Sequence, residues 1–147
     1  MSVATLRTEP PGRYVVLYDG HCRFCTAGAR KLLGWMGKVD VELADFQTPG
    51  VLERFPGLTY EKCMERLHLV TPDGRVFAGA EAVARAAGTR PVLGKVALVY
   101  FVPGLRQLLD RLYRIIAAHR YRLMGRAVAA GACQGGTCSL HSRKQHV

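Results

Sequence analysis

Residues 14–28 read YVVLYDGHCRFCTAG, and this stretch decides the fold. The run of β-branched and aromatic residues at 14–18 predicts a buried strand, which the Asp-Gly turn signal after it brings to an end. From Cys22 to about Met36, apolar residues recur at helical spacing. The sequence therefore places a Cys-x-x-Cys pair at a strand-to-helix corner.

The rest of the first 90 residues adds further strands and helices. Residues 39–46 alternate apolar and polar side chains and predict a second strand, and residues 48–63, broken by prolines, predict an interrupted helical segment. Residues 66–79 read RLHLVTPDGRVFAG and predict a hairpin, and a helix over 80–87 follows. The order β-α-β-α-β-β-α predicts an α/β protein with a thioredoxin-like fold. Its four-stranded mixed sheet should pair the first two strands in parallel and the hairpin antiparallel.

Composition divides the chain into four parts. Residues 1–13 form an N-terminal extension and residues 14–90 the thioredoxin-like core. Residues 91–125 are predicted to be a helical C-terminal extension of the same domain, with a basic amphipathic helix whose leucine and isoleucine side chains share one apolar face. Residues 126–147 are rich in small residues and predict a flexible tail.

Charge is distributed unevenly along the chain. The formal net charge is +10, and residues 90–147 carry 10 basic side chains against a single acid, Asp110. Such a field attracts nucleic acid, anionic lipid or an acidic partner. No nucleic-acid-binding signature accompanies it, so no specific nucleic-acid partner is expected. The helix over residues 105–123 either covers the sheet or a partner surface, or makes peripheral contact with a membrane.

The N-terminal sequence indicates the cellular compartment of the protein, and the compartment determines whether its cysteines are expected to be reduced. Residues 1–12 lack the apolar core of an export signal, and no window holds 18 uninterrupted apolar residues. We therefore expect a cytoplasmic protein, peripheral to the membrane if the basic helix binds lipid. Because that compartment keeps thiols reduced, the pair is expected to be catalytic or metal-binding rather than a structural disulfide.

The position of the pair suggests a division of roles. A thiol at Cys22, in the first turn of the helix, faces unsatisfied backbone N–H groups and the positive end of the helix dipole, which stabilise a thiolate. Cys25 lies one turn further on, within reach of a mixed disulfide formed at Cys22. We therefore expect Cys22 to attack and Cys25 to resolve. The alternatives are half of a zinc site, which needs two further ligands, and an inert pair.

Three motifs resemble those of a known family. LYDGHCRFC matches the Asp-Gly-x-Cys-x-x-Cys signature of the DCC family, and LHLVTPDGRVFAGAEAVARA and PGLRQLLDRLYRIIAAHRYRL are similar to its hairpin with the following helix and to its C-terminal helix. The likeness covers roughly residues 14–123. It implies a thiol-disulfide oxidoreductase of thioredoxin-like fold, with Asp19, Cys22 and Cys25 as the signature residues.

The resemblance also sets expectations for partners. An enzyme of this kind takes a disulfide-containing protein or a small thiol as substrate and needs a reductant, which the sequence does not identify. We expect no cofactor and no metal. The alternative function is a noncatalytic protein that binds metal, or that docks on a membrane or a partner through its basic C-terminal helix.

Several residues have two interpretations. Asp19 either makes the turn before Gly20 or accepts a proton from Cys25 during resolution, and its charge would also oppose a nearby thiolate. Thioredoxins place a proline before the third strand, but EKCMERLHL has none, so Met64, Glu65 or Arg66 takes that place or substrate is held differently. The remaining candidates are expected to be structural or incidental: Trp35 and Met36 in the core, Cys63, His68, and the tail thiols Cys133 and Cys138.

Overall fold

The computed structural model describes residues 7–126. Its first half alternates strands and helices as the sequence predicts. The elements are β1 (Tyr14–Tyr18), α1 (Arg23–Met36), β2 (Val41–Asp45), α2 (Tyr60–Glu65), β3 (His68–Val70), β4 (Val76–Ala78) and α3 (Gly79–Ala87). The interrupted segment before α2 contains a 3₁₀ turn at Leu52–Arg54.

The four strands form one mixed sheet in the order β2-β1-β3-β4. β1 pairs in parallel with β2, and Val16 lies opposite Leu43. β1 pairs antiparallel with β3, and β3 pairs antiparallel with β4. The predicted thioredoxin-like α/β fold with a four-stranded mixed sheet is confirmed.

Alternation along β1 divides the core between the two faces of the sheet. Val15 and Leu17 point to one face and pack near Phe55 and Cys63. Val16 and Tyr18 point to the other, where α1 and α3 cover them. Because β1 is central and buried on both faces, the Asp-Gly turn after it emerges from the middle of the sheet.

The C-terminal extension contains α4 (Pro91–Ala97), a 3₁₀ turn (Leu98–Phe101) and α5 (Leu105–Met124). The helix α5 packs against α1 and α3. Its leucine and isoleucine side chains share one face, as predicted, but this face is only partly covered, since Leu108, Leu112 and Ile115 are exposed whereas Leu109 and Ile116 are half-buried. Apolar side chains therefore cover more than the inner face of this helix.

Two further expectations have mixed outcomes. Met36 is fully buried, but Trp35 is 38 % exposed and lies at the surface of α1. The four-part division of the chain stays a prediction. Apart from Arg126, the expected flexible tail lies outside the described residues, and so do Cys133 and Cys138.

Candidate functional site

The strand-to-helix corner places Cys22 at the N-cap of α1. The Cys22 N–H donates to the Asp19 carbonyl at 3.2 Å, which closes the turn that leaves β1. The Cys22 sulfur accepts a hydrogen bond from the backbone N–H of Cys25, at 3.2 Å. A sulfur in this position receives one of the four N–H groups that a helix start leaves unpaired, an arrangement that favours an anionic sulfur.

Gly20 is required at this corner for steric reasons. Its N–H donates to Asp45 Oδ1 at 2.9 Å, and a Cβ added to Gly20 would lie 2.0 Å from Asp45 Oδ2. A side chain at position 20 would therefore displace the Asp45 carboxylate. The glycine therefore lets the turn approach the end of β2 closely enough for the hydrogen bond.

The two cysteines of the motif are adjacent and reduced. Cys22 and Cys25 lie 2.8 Å apart, and both are free thiols. The two residues are therefore close enough for a disulfide to form between them. Cys22 is fully buried, whereas Cys25 is partly exposed. Only Cys25 of the two therefore presents accessible surface.

The thiol of Cys25 is held in its protonated form. Burial, followed by the hydrogen bond to Cys22 and the negative charge of that sulfur, raises the pKa of Cys25 to about 12. The guanidinium of Arg120 acts in the opposite direction, and the Asp19 carboxylate adds a smaller increase. At neutral pH, Cys25 is thus a protonated thiol that donates to the Cys22 sulfur.

Asp19 is 1 % exposed and is surrounded by donors. One carboxylate oxygen accepts from the His21 N–H at 3.0 Å and from Gln47 Nε2 at 3.2 Å. The other accepts from the Tyr121 hydroxyl and lies 3.5 Å from Arg120 Nη2. Asp19 thus stabilises the turn and also links the corner to α5.

Arg120 is a site residue that the sequence analysis missed. Its side chain is 6 % exposed, and its Nη1 lies 3.6 Å from the Cys25 sulfur. Its Nη2 also donates to the carbonyl of Met64. Arg120 stands four residues after Ile116 and seven after Tyr113, on the inner face of α5. The signal was an arginine at a position whose helical spacing predicts burial.

The segment before β3, which lacks a proline, contacts the site through Met64. Its carbonyl accepts from Arg120, and its sulfur lies 3.6 Å from Gln47 Nε2. Of the three residues considered for this place, Met64 is thus the one tied to the Asp19 and Arg120 network. Glu65 and Arg66 instead pair with each other at the surface.

A cavity of about 210 Å³ opens between α1 and α5 and reaches Cys25. Cys25, Arg120 and Asp19 lie among its lining residues together with Cys63, but Cys22 does not. The remaining lining residues are mostly apolar or aromatic: Tyr18, Phe24, Gly28, Lys31, Leu32, Trp35, Leu67, Val83, Tyr113, Ile116 and Ala117. The cavity is therefore an apolar passage from the surface to one sulfur of the pair.

Two other candidate side chains are buried. Burial raises the pKa of Cys63 to about 11 and lowers that of His68, whose Nδ1 has no partner within residues 7–126, to about 4. Both side chains are therefore uncharged at neutral pH. Within the same residues, no group of three or more metal-ligating side chains lies close enough to hold an ion.

Comparison with known proteins gave one match. A family model described as DCC1-like thiol-disulfide oxidoreductase matches residues 16–126, which include the corner, α5 and all of the sheet except Tyr14 and Val15. The searches of curated proteins and of solved structures each gave no match.

Proposed function

The chain belongs to the DCC1-like thiol-disulfide oxidoreductase family, and we propose that its Cys22–Cys25 pair cycles between a dithiol and a disulfide in exchange with substrate. The family implies partners that contain disulfides. The observation that carries the proposal is the pairing of Cys22 at the N-cap with Cys25, which lies 2.8 Å from it. These are the two sulfurs that a dithiol oxidoreductase requires.

In the proposed reaction Cys22 attacks the substrate disulfide. The N–H of Cys25 and the start of α1 stabilise the negative charge on its sulfur. Attack forms a mixed disulfide between Cys22 and one half of the substrate and releases the other half as a thiol. Because Cys22 is buried, the groups that cover it must move before a substrate sulfur reaches it. One of these is Arg126, whose backbone forms a bridge with Cys22.

Cys25 then attacks the Cys22 sulfur and releases the second substrate thiol. Once Cys22 is in the mixed disulfide it carries no charge, so two of the influences that raise the pKa of Cys25 disappear. Burial and the weaker effect of Asp19 still raise the pKa of Cys25, and the guanidinium of Arg120 lowers it. We assign Asp19 to holding Arg120 and Tyr121 in place, and its acceptance of the Cys25 proton stays an alternative.

Turnover tests this function directly. We expect the protein to accelerate the reduction of a peptide disulfide by dithiothreitol, and Cys22→Ser to abolish the acceleration. Cys63→Ser is the matched control, because that thiol is outside the motif, and it should retain activity. Equal rates with wild type, with Cys22→Ser and without protein would contradict the proposal.

A second proposal concerns the outer face of α5. Across the described residues no single helix is long and apolar enough to span a membrane. Pro91–Phe101 and Leu105–Met124 meet the length and composition requirement only as a pair bent by 97°. Leu108, Leu112, Ile115 and Leu123 form an exposed apolar stripe, and Arg111, Arg114 and Arg122 are exposed on the neighbouring face. Since apolar residues beside cations suit an anionic interface, we propose peripheral membrane contact through residues 105–123.

Vesicle sedimentation tests the membrane contact. The protein should sediment with vesicles that contain phosphatidylglycerol and remain in solution with phosphatidylcholine alone. Leu112→Gln with Ile115→Gln should weaken sedimentation, and Ala118→Gln, which is exposed elsewhere on α5, should not. Equal sedimentation of the two variants would contradict this contact. The cytoplasmic location expected from the sequence stays a prediction.

A further inference from the structure

The cavity between α1 and α5 gives access to one sulfur only. Cys25 lines it and is partly exposed, whereas Cys22 lies outside the lining and is fully buried. The two sulfurs have separate environments, one at a helix N-cap and one at the inner end of an apolar passage. A molecule that enters the cavity therefore meets Cys25 first.

This placement suits one step of the cycle, the reduction of the Cys22–Cys25 disulfide. Thiol–disulfide exchange is in line, so a thiolate that attacks the Cys25 sulfur expels Cys22 on the opposite side. Cys22 is the better leaving group, because the Cys25 N–H and the start of α1 stabilise it as a thiolate. Arg120, 3.6 Å from the Cys25 sulfur, places a positive charge where the attacking thiolate arrives.

The size and lining of the cavity limit what can enter. A cavity of about 150 Å³ lined by apolar side chains binds benzene, and this one has about 210 Å³. Its walls include Phe24, Trp35 and Ile116. The space therefore suits a compact apolar body rather than a peptide chain.

The charges of the lining favour an anion. The lining holds two cations, Lys31 and Arg120, and one carboxylate, Asp19, which Arg120 already neutralises. Lys31 is exposed on α1, and its ammonium lies 5.9 Å from the centre of the Trp35 ring. A carboxylate on the ligand would meet Lys31 while its sulfur points towards Cys25.

We propose that this cavity admits the reductant of the enzyme, and that the reductant is a compact monothiol with an apolar body and a carboxylate. The proposal rests on the proposed dithiol–disulfide cycle and adds the class of electron donor to it. It assigns the two sulfurs to different partners: Cys22 reacts with the substrate disulfide and Cys25 with the reductant.

The step balances with two molecules of thiol. The first, as a thiolate, bonds to Cys25 and breaks the Cys22–Cys25 bond, and Cys22 leaves with the electron pair. The second attacks the sulfur of the first, which releases the symmetrical disulfide of the reductant and returns Cys25 as a thiolate that takes up a proton. Two thiols are oxidised to one disulfide, and the protein disulfide is reduced to two thiols.

Two glycines of α1 provide a matched test. Gly28 lines the cavity, Gly34 does not, and a Cβ built on either meets nothing within 4 Å. Leucine has a higher helix propensity than glycine, so neither substitution should impair folding. The side chain added in Gly28→Leu narrows the cavity, and Gly34→Leu adds the same side chain elsewhere on the same helix.

The experiment measures how fast oxidised protein is reduced by 4-mercaptobenzoate and by cysteamine, with alkylation of the thiols at timed intervals. We expect Gly28→Leu to slow reduction by 4-mercaptobenzoate at least about tenfold and Gly34→Leu to leave it within about twofold. We also expect Lys31→Gln to slow reduction by 4-mercaptobenzoate by about threefold and reduction by cysteamine not at all, since only 4-mercaptobenzoate carries a carboxylate.

The outcomes separate this proposal from the proposed function. Recovery of the Cys22–Cys25 disulfide in each oxidised protein tests the cycle before any rate is measured. If the disulfide forms and Gly28→Leu is reduced as fast as wild type, the cavity is not the route of the reductant and this proposal alone is overturned. If Lys31→Gln slows both thiols equally, the assigned carboxylate is wrong. If no disulfide forms, both proposals fail.

Discussion

The strand-to-helix corner and the helix α5 contribute to the site in different ways. The corner supplies both sulfurs from a stretch of four residues, held by the turn after β1 and the start of α1. The helix α5, about a hundred residues later, supplies Arg120 and Tyr121, which contact Asp19. Local sequence thus creates the thiol pair, whereas tertiary packing determines its electrostatic surroundings.

The largest expected effect is at the corner. Cys25→Ser removes the resolving thiol, so the mixed disulfide at Cys22 should accumulate and turnover should stop. Mass spectrometry of the intact protein after incubation with a peptide disulfide measures the adduct. In Cys22→Ser no adduct should form at the motif. If Cys22→Ser instead forms an adduct on Cys25, and Cys25→Ser forms none on Cys22, then Cys25 is the attacking cysteine and Cys22 the resolving one.

Loss of Arg120 tests whether α5 is part of the site. Arg120→Met removes a guanidinium that lowers the pKa of Cys25, so resolution of the mixed disulfide should require higher pH. Because a hydrogen bond to a charged group contributes about 1.5–3 kcal/mol, resolution at neutral pH should slow by roughly 10- to 100-fold. The lifetime of the adduct as a function of pH is the measurement.

Two further variants control for folding. Arg120→Met leaves the buried Asp19 without its cation, at a cost of about 3–5 kcal/mol in the free energy of unfolding. Arg120→Met combined with Asp19→Asn should recover much of that stability without recovering the rate of resolution. Arg122→Met, on the exposed side of the same helix, should change neither the free energy of unfolding nor the rate of resolution. Recovery of the rate together with stability would show a merely structural role for Arg120.

The corner could be predicted from sequence because its signals are local. The β-formers of β1, the Asp-Gly turn and the helical spacing of α1 lie within about 25 residues, and each favours the same structure. Asp19 and the two cysteines are therefore placed correctly at the turn. For Arg120, helical spacing indicates burial but does not give the partners, since these lie 56, 95 and 101 positions away in the chain.

The helix α5 also shows where periodicity misleads. Helical spacing predicted the one apolar face on which leucine and isoleucine lie, but only contact with α1 and α3 determines which side of the helix is buried, and part of the apolar face is exposed. Arg120 was missed for the same reason, because arginines usually face solvent. Composition alone does not identify the one arginine that is buried beside the thiols.

His68 on β3 should make the free energy of unfolding depend on pH, and this prediction does not involve α5. Burial lowers its pKa to about 4, so the native state binds its proton only at lower pH than the unfolded state does. The stability that the neutral imidazole contributes is fully present above about pH 6.5. It is lost as the pH falls towards 4, and the free energy of unfolding then decreases by roughly 3 kcal/mol in all. Denaturant unfolding across this range should show the loss. His68→Leu should remove it, whereas replacement of the exposed His119 by Gln should not.

The smallest expected effect is at a hydrogen bond between α5 and the residue that precedes β3. The Leu67 N–H donates to the Tyr113 hydroxyl at 3.2 Å. Tyr113→Phe leaves that N–H without its acceptor and should lower the free energy of unfolding by about 1 kcal/mol. Tyr14→Phe on β1 is the matched control. No difference between the two in urea unfolding would mean that this contact does not help to hold α5.

The most direct test of the central claim, that Cys22 and Cys25 form a redox pair completed by α5, is the reduction potential of their disulfide. Equilibration with glutathione buffers, followed by trapping of the thiols, should give a midpoint between roughly −270 and −120 mV for wild type. Arg120→Met should move it to a more negative value by about 30 mV, because the reduced pair loses its cation. Thiols that stay reduced at every buffer ratio, or a midpoint below about −300 mV, would contradict the account.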